Sequence, residues 1–147
     1  MERTQQNTDY ILRFFSEIWS KGSMETADEI LDSKFQFILA FAHLDGLDAF
    51  KGLVKNNRNI FENLTYTSTP DDVVTDGSLK GAAFWNMSTT KHQDAWRNVP
   101  ASGKPVAIKG ITFFRFGNDG KLTEARVQND VLSMMKQIDG IKMLYNS

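Results

Sequence analysis

The hydrophobic pattern of the chain changes near residue 65, and this change limits the folds that the chain can adopt. Before that point, apolar residues recur at helical spacing in three segments, which are residues 10–19, 24–31 and 50–61. Beyond it, apolar and polar residues alternate as in strands over residues 79–90, 106–116 and 122–129. Helices followed by consecutive strands are typical of α+β proteins with an antiparallel sheet. We therefore predict a single α+β domain over residues 1–147.

Shorter segments complete the predicted order of elements. Alternation over residues 35–41 predicts a strand between the second and third helices, and His43-Leu44-Asp45-Gly46 has the composition of the turn that follows it. Residues 65–69 predict a further strand, and residues 131–138 predict a closing helix of one or two turns. We expect the elements to form one continuous series, because no repeat or linker separates them.

Two short turn sequences predict which strands pair. Asp76-Gly77 and the segment Asn118–Lys121 each lie between stretches of strand pattern. Asx-Gly pairs adopt the left-handed backbone conformations that tight hairpins require, so both sites predict antiparallel neighbours. In the second hairpin, Arg115 and Glu124 lie on opposite arms and are expected to form a cross-strand ion pair.

Aromatic residues make up 12% of the chain, including 11 Phe and 3 Trp. A small domain with so many rings either packs an aromatic core or lines a pocket for a small, largely apolar molecule. As candidate pocket residues we single out Trp19, Phe37, Phe84 and Trp96. A purely structural role for these rings stays open, because the same side chains can serve core and pocket.

The charge pattern and the residue types exclude several classes of partner. The 17 basic and 18 acidic residues are mixed along the chain, so no basic stripe predicts nucleic-acid binding. There are no cysteines, which excludes disulfides and thiolate metal sites. His43 and Asp45 are too few for a metal site, and we expect neither metal nor cofactor. The longest apolar stretch, Phe37–Ala42, cannot cross a membrane, and the first residues carry no secretion signal, so we expect a cytoplasmic protein without a membrane partner.

Several motifs in the second half of the chain resemble one known family. Residues 90–106, TKHQDAWRNVPASGKPV, are similar to the pattern T-H-x-G-x-x-x-G-x-P-x-T-G-K-x-V of SnoaL-like polyketide cyclases. Phe114–Phe116, Asp119–Leu122 and Asp130–Leu132 resemble further motifs of the same family, in the same order. The resemblance covers nearly the whole chain and places it in the nuclear transport factor 2-like superfamily.

The resemblance implies a cone-shaped fold, in which a strongly curved antiparallel sheet carries about three helices over its concave face. It also implies a homodimer and a cyclase- or isomerase-type enzyme that acts on an apolar carbonyl compound. Because this fold hosts many functions, two other hypotheses stay open. One is a non-catalytic protein that binds a small ligand, and the other is a homodimeric interaction domain.

The chain differs from the family at the positions of the catalytic residues. In characterised cyclases, an Asp base on the last strand and a His on the strand before it are assigned to an aldol ring closure. By resemblance these positions fall at Val127 and at Thr112 or Phe113, none of which exchanges a proton as that chemistry requires. We expect Thr112 and Val127 to line the pocket, and no aldol cyclisation by the known mechanism.

Two other residues are candidates for acid–base catalysis. His92 matches a histidine of the family pattern, and a pocket histidine can act as acid, base or hydrogen-bond donor to a carbonyl. The alternative is that His92 fixes the loop that follows it. Asp130 ends the last strand and could act as a base in apolar surroundings, or could cap the closing helix. The sequence leaves both alternatives open for each residue.

Overall fold

The computed structural model describes residues 2–142 and residue 144. The described helices are α1 (Arg3–Arg13), α2 (Met24–Ile30), α3 (Leu47–Ile60) and α4 (Val131–Gln137). The described strands are β1 (Leu31–Leu39), β2 (Ala42–Asp45), β3 (Phe61–Glu62), β4 (Thr65–Thr67), β5 (Val73–Thr75), β6 (Lys80–Thr89), β7 (Lys91–His92), β8 (Val106–Phe116) and β9 (Leu122–Asn129). A π-helical segment, Phe14–Trp19, continues α1, and a 3-10 turn, Pro70–Asp72, precedes β5.

The main sheet has seven strands in the order β2-β1-β9-β8-β6-β4, with β5 also paired to β6. Its pairs are antiparallel apart from β1 and β9, which run parallel with Phe37 opposite Ala125. Strands β3 and β7 form a separate antiparallel ribbon in which Phe61 lies opposite His92. The predicted α+β class with a mostly antiparallel, curved sheet is confirmed, and the parallel pair is an addition to it.

The helices pack on one side of this sheet, and α3, α1 and α4 contact β1, β5 and β8 respectively. Helix α3 buries Phe50, Val54 and Ile60 on one face, which is the amphipathic pattern predicted for this segment. Helix α4 is the closing helix predicted over residues 131–138, and it brings the α-helices of the described chain to four. No helix in the described ranges is long and apolar enough to cross a membrane.

The segment after α1 is wound more widely than an α-helix. The prediction of one helix over residues 10–19 is met by the end of α1 and by the π-helical segment that continues it. The wider turn directs four large side chains into the protein interior, which are Phe14, Phe15, Ile18 and Trp19. Such π segments are uncommon and are frequent at functional sites.

The turn expected at residues 43–46 lies earlier in the chain. Strand β1 ends at Leu39, and the chain reverses at residues 40–41 so that residues 42–45 return as β2. Leu44 packs against the core and lies directly opposite Phe37, which draws this segment into the sheet. His43 and Asp45 are exposed strand residues, and the described chain holds no cluster of three or more potential metal ligands.

Both predicted hairpin turns are present. Gly77 and Gly120 have left-handed backbones, with φ of 73° and 91°, as tight turns between antiparallel strands require. The carboxylate of Asp76 accepts hydrogen bonds from the backbone of the first turn, including the N–H of Lys80 at 3.0 Å. The cross-strand ion pair expected next to the second turn also forms, with Arg115 and Glu124 3.2 Å apart.

Candidate ligand-binding cavity

A cluster of aromatic rings lies between the helices and the inner face of the sheet. The ring of Phe14 stacks on Phe50 with centroids 5.5 Å apart and meets the edge of Phe114 at 5.3 Å. Phe37 adds a further contact with Phe50 at 4.8 Å. Aromatic pairs of this geometry stabilise a fold by about 0.5–1.5 kcal/mol each beyond the area that they bury. The cluster is therefore a rigid apolar wall.

Beside this wall lies a cavity of about 80 Å³. A protein cavity of roughly 150 Å³ can hold benzene, so this volume is smaller than one aromatic ring requires, and a ring bound here would also have to occupy the opening of the cavity. Most of its lining is apolar, and its polar lining side chains are Asn57, Tyr66, Arg97, Thr112 and Asn129. No Asp, Glu or His among the described residues lines it. The cavity is therefore suited to a largely apolar molecule, and Arg97 is the charged group among its described lining residues.

The sheet contributes to the cavity through one face of β6, β8 and β9. Trp85 and Met87 on β6 point inward, whereas Phe84 lies on the opposite face and is 39% exposed. The sequence-based assignment of Phe84 to the pocket is therefore corrected, and Trp85 takes the place expected for it. Of the other aromatic candidates, Trp19 and Phe37 line the cavity as expected. Trp96 lines it as well.

Thr112 and Val127 lie directly opposite each other on β8 and β9, and both line the cavity. Phe113 follows Thr112 in the strand and does not line the cavity, so of the two residues only Thr112 faces it. The indole N–H of Trp85 donates to the hydroxyl of Thr112 at 2.9 Å. A hydroxyl that accepts one bond still carries its own hydrogen, which Thr112 can donate to an oxygen in the cavity.

Gly110 makes the bond between Trp85 and Thr112 sterically allowed. It lies directly opposite Trp85, and a Cβ atom at this position would be 2.3 Å from Cζ2 of the indole. Because glycine has no side chain, the indole can lie close over the backbone of β8. The shape of this part of the cavity therefore depends on a single residue without a side chain.

Tyr66 is the other hydroxyl donor of the lining. Its ring packs 5.0 Å from that of Trp85 and 5.2 Å from that of Trp19. Burial raises the pKa of the Tyr66 phenol above its usual value, because the phenolate would lose its hydration. The residue is therefore a neutral donor at physiological pH and does not act as a base.

His92 is fully buried, but it does not line the cavity. Its Nδ1 atom accepts the backbone N–H of Ser102 at 3.1 Å and lies 2.9 Å from that residue's hydroxyl. Its backbone exchanges bonds with the same loop, donating to Lys104 at 2.7 Å and accepting from Gly103 at 2.9 Å. Of the two alternatives for His92, the geometry corresponds to fixing the loop. Burial lowers the pKa of its imidazole, which favours the neutral form.

Asp130 lies at the start of α4 and is exposed. Its carboxylate accepts the backbone N–H of Ser133 at 3.0 Å, which is the contact of a helix N-cap. It does not line the cavity, so of the two alternatives for Asp130 the geometry corresponds to the helix cap.

Sequence reasoning did not single out Trp85, Tyr66 or Arg97 as site residues. The sequence of β6 does indicate which face points inward. Polar Asn86 and Ser88 share the face of Phe84, whereas apolar Met87 shares the face of Trp85. For Arg97 no such signal exists, because its place depends on how a loop folds over the sheet.

The family model for SnoaL-like polyketide cyclases matches residues 9–138 of the chain. The chain belongs to this family. Its SnoaL-like fold is similar to that of a proposed SnoaL-like polyketide cyclase from Jannaschia sp. CCS1, with 21% identity, 97% of each chain covered and a TM-score of 0.84. No curated protein sequence matches the chain significantly.

Two further solved structures show how widely the SnoaL-like fold is used. TsrD from Streptomyces laurentii has 21% identity over 93% of this chain and 95% of its own, with a TM-score of 0.77. AclR from Streptomyces galilaeus, a proposed hydroxylase, has 13% identity over 97% and 90%, with a TM-score of 0.78. At these identities the likeness shows the fold alone, and the activity must come from the residues of the cavity.

Proposed function

We propose that the protein binds a small, largely apolar molecule with a carbonyl oxygen, and that it does not carry out the aldol ring closure assigned to cyclases of its family. The proposal is supported by a small cavity whose wall is mostly apolar. Its neutral hydrogen-bond donors include the side chains of Tyr66, Thr112, Asn57 and Asn129, and Arg97 adds a charged donor at the opening.

The pair Thr112 and Val127 is the observation that carries this proposal. The two residues face each other across β8 and β9, and the resemblance to the family implies that these are the positions of the acid–base pair in its cyclases. A threonine hydroxyl does not remove a proton from carbon at neutral pH, and valine has no proton to exchange. What the pair offers is one hydrogen-bond donor in apolar surroundings, which orients a carbonyl oxygen.

Binding of acetophenone and of ethylbenzene tests this function. The two probes share a ring and differ in the carbonyl oxygen, and Trp19, Trp85 and Trp96 report on the cavity by fluorescence. We expect acetophenone to bind more tightly, and Thr112→Val to remove that difference while Thr112→Ser keeps it. Thr67→Val, an exposed change on β4, is the control and is expected to bind as the unchanged protein does.

A homodimer formed through the outer face of the sheet is the second part of the proposal. On this face Phe84 and Ile111 lie directly opposite each other on β6 and β8, with 39% and 52% of their surfaces exposed. A pair of large apolar side chains on an exposed sheet is a feature of interaction surfaces. A second copy of the chain, related by a two-fold axis, would cover it.

A further inference from the structure

Arg97 lies at the opening of the cavity. Among the described residues that line the cavity, it is the exposed one, and the others are buried or half-buried. It is also the one lining residue with a charged side chain at neutral pH in the described chain. A molecule in the cavity can therefore contact this guanidinium on the solvent side.

The backbone that carries Arg97 is in an unfavourable conformation. Trp96 and Val99 exchange two backbone hydrogen bonds of 3.0 and 2.8 Å, so that Arg97 and Asn98 are the central residues of a tight turn. Both have left-handed φ angles, 47° and 67°. Asparagine tolerates this region, but a long side chain such as that of arginine is uncommon there. Strain of this kind is found where the position of a side chain matters for function.

Two aromatic rings hold the guanidinium in place. Its central carbon lies 4.5 Å from the ring centre of Phe41, at the tip of the β1–β2 hairpin, and 5.3 Å from that of Trp96. Contacts with ring faces stabilise the cation while leaving its N–H groups free to donate. Burial against the rings lowers the pKa of Arg97, but an arginine stays charged under these conditions.

Arg97 differs from the other arginines of the described chain in its hydrogen bonding. Each of the others donates to a carboxylate or a backbone carbonyl, and they are Arg3, Arg13, Arg58, Arg115 and Arg126. Within the described residues, no carboxylate lies within 4.0 Å of Arg97, and no acceptor receives a hydrogen bond from it. A charged donor fork thus lies at the cavity opening, and no described residue serves as its acceptor.

We propose that Arg97 binds the carboxylate of the ligand, so that the molecule taken by this cavity is a small apolar carboxylic acid. This inference rests on the proposed function and adds the chemical class of the ligand. The planar fork of an arginine matches a carboxylate through two parallel hydrogen bonds. A single cation at the opening balances the single negative charge of one carboxylate. The apolar body of the acid would then lie inside the cavity, against Trp85 and Phe37.

Binding of 3-phenylpropanoate and 3-phenylpropanamide to the full chain tests this inference, because the probes have the same shape and differ by one charge. We expect the acid to bind about tenfold more tightly than the amide, a difference of about 1.4 kcal/mol. Arg97→Gln is expected to remove this preference and to leave the affinity for the amide unchanged. Thermal melting of each variant checks that it is folded.

Arg115→Gln is the matched control, since Arg115 also lies over an aromatic ring, that of Phe113 at 5.1 Å, but is on the outer face and bonded to Glu124. This variant is expected to keep the preference for the acid. Equal affinities of the unchanged protein for acid and amide, or a preference that survives Arg97→Gln, would overturn the inference while leaving the proposed function intact. Failure of acetophenone and both of these probes to bind at millimolar concentration would overturn both.

Discussion

Thr112 and Val127 face each other across β8 and β9, with the indole N–H of Trp85 donating to the threonine hydroxyl at 2.9 Å. This arrangement combines one hydrogen-bond donor and one apolar side chain on the scaffold of the family, and we propose that the two stand where its cyclases have an acid–base pair. The remaining polar groups of the lining are neutral donors apart from Arg97 at the opening. Binding and orientation are therefore the chemistry that these residues support best.

Gly110→Ala is expected to lower both stability and ligand affinity. The added methyl group would lie 2.3 Å from the indole of Trp85, which must then move toward the cavity and away from Thr112. Overpacking of this kind costs about 1–3 kcal/mol of unfolding free energy. Denaturant unfolding and acetophenone titration measure the two effects.

Gly52→Ala is the control for that change. Gly52 lies within α3, and a Cβ atom there would have no other atom within 4 Å. Alanine is the better helix former, so this variant is expected to be more stable by about 0.5–1 kcal/mol. If Gly110→Ala were as well tolerated as Gly52→Ala, the close packing of Trp85 over β8 would be contradicted.

The neutral, buried imidazole of His92 predicts a loss of stability in acid. The pKa of His92 is lowered in the folded protein, whereas in the unfolded chain it has the usual histidine value of about 6.5. Between these two pKa values, the unfolded chain binds a proton that the folded chain does not bind. The contribution of neutral His92 to the unfolding free energy is fully present above pH 6.5, and it decreases as the pH falls through this window. Denaturant unfolding at pH 8 and pH 5.5 measures the change.

His92→Ala is expected to weaken that pH dependence and to reduce stability at pH 8 by about 1–3 kcal/mol, because the loop bonds to Ser102 are lost. His43→Ala removes an exposed imidazole without touching this loop and serves as the control. A His92 variant with unchanged stability and weakened acetophenone binding would instead assign His92 to the ligand site.

Asp130→Ala is expected to reduce the unfolding free energy by about 0.5–2 kcal/mol, because the cap of α4 on the N–H of Ser133 is lost. Asp130→Asn keeps an acceptor and is expected to lose less. Neither change should alter acetophenone binding, since Asp130 lies outside the cavity. A large loss of affinity with unchanged stability would restore the catalytic or binding role for this residue.

The proposed dimer predicts that Ile111→Lys yields a monomer. A charge in place of this exposed apolar residue opposes burial of the outer sheet face but leaves the cavity side of β8 unchanged. Light scattering at micromolar concentration measures the mass of both proteins. A monomeric unchanged protein would contradict the dimer.

Local patterns predicted most of the secondary structure. The hairpin at Asp76-Gly77, the hairpin at Asn118–Lys121 and the closing helix follow from turn and capping chemistry that acts within a few residues. The turn after β1 was misplaced because polar His43 and Asp45 have the composition of a loop, whereas Leu44 between them packs opposite Phe37. Long-range packing decided that element.

The site was harder to predict, because it is formed by residues far apart in the sequence. The parallel pairing of β1 with β9 brings Phe37 beside the last strand, and no local pattern specifies such a pair. The sequence analysis assigned Phe84 to the pocket in place of Trp85, which is an error of strand register. A shift by one residue exchanges the two faces of a strand. Arg97 meets Phe41 only when the loop and the β1–β2 hairpin are both in place.

The most direct test of ligand binding in the cavity is NMR of the chain with ¹³C-labelled methionine methyl groups. Met87 and Met134 line the cavity, whereas Met24 and Met135 pack elsewhere in the described structure and are internal controls. On addition of acetophenone, we predict saturable shifts of the Met87 and Met134 methyl signals, with those of Met24 and Met135 unchanged. Saturable shifts confined to Met24 or Met135, or no shift at all at millimolar acetophenone, would contradict binding in this cavity.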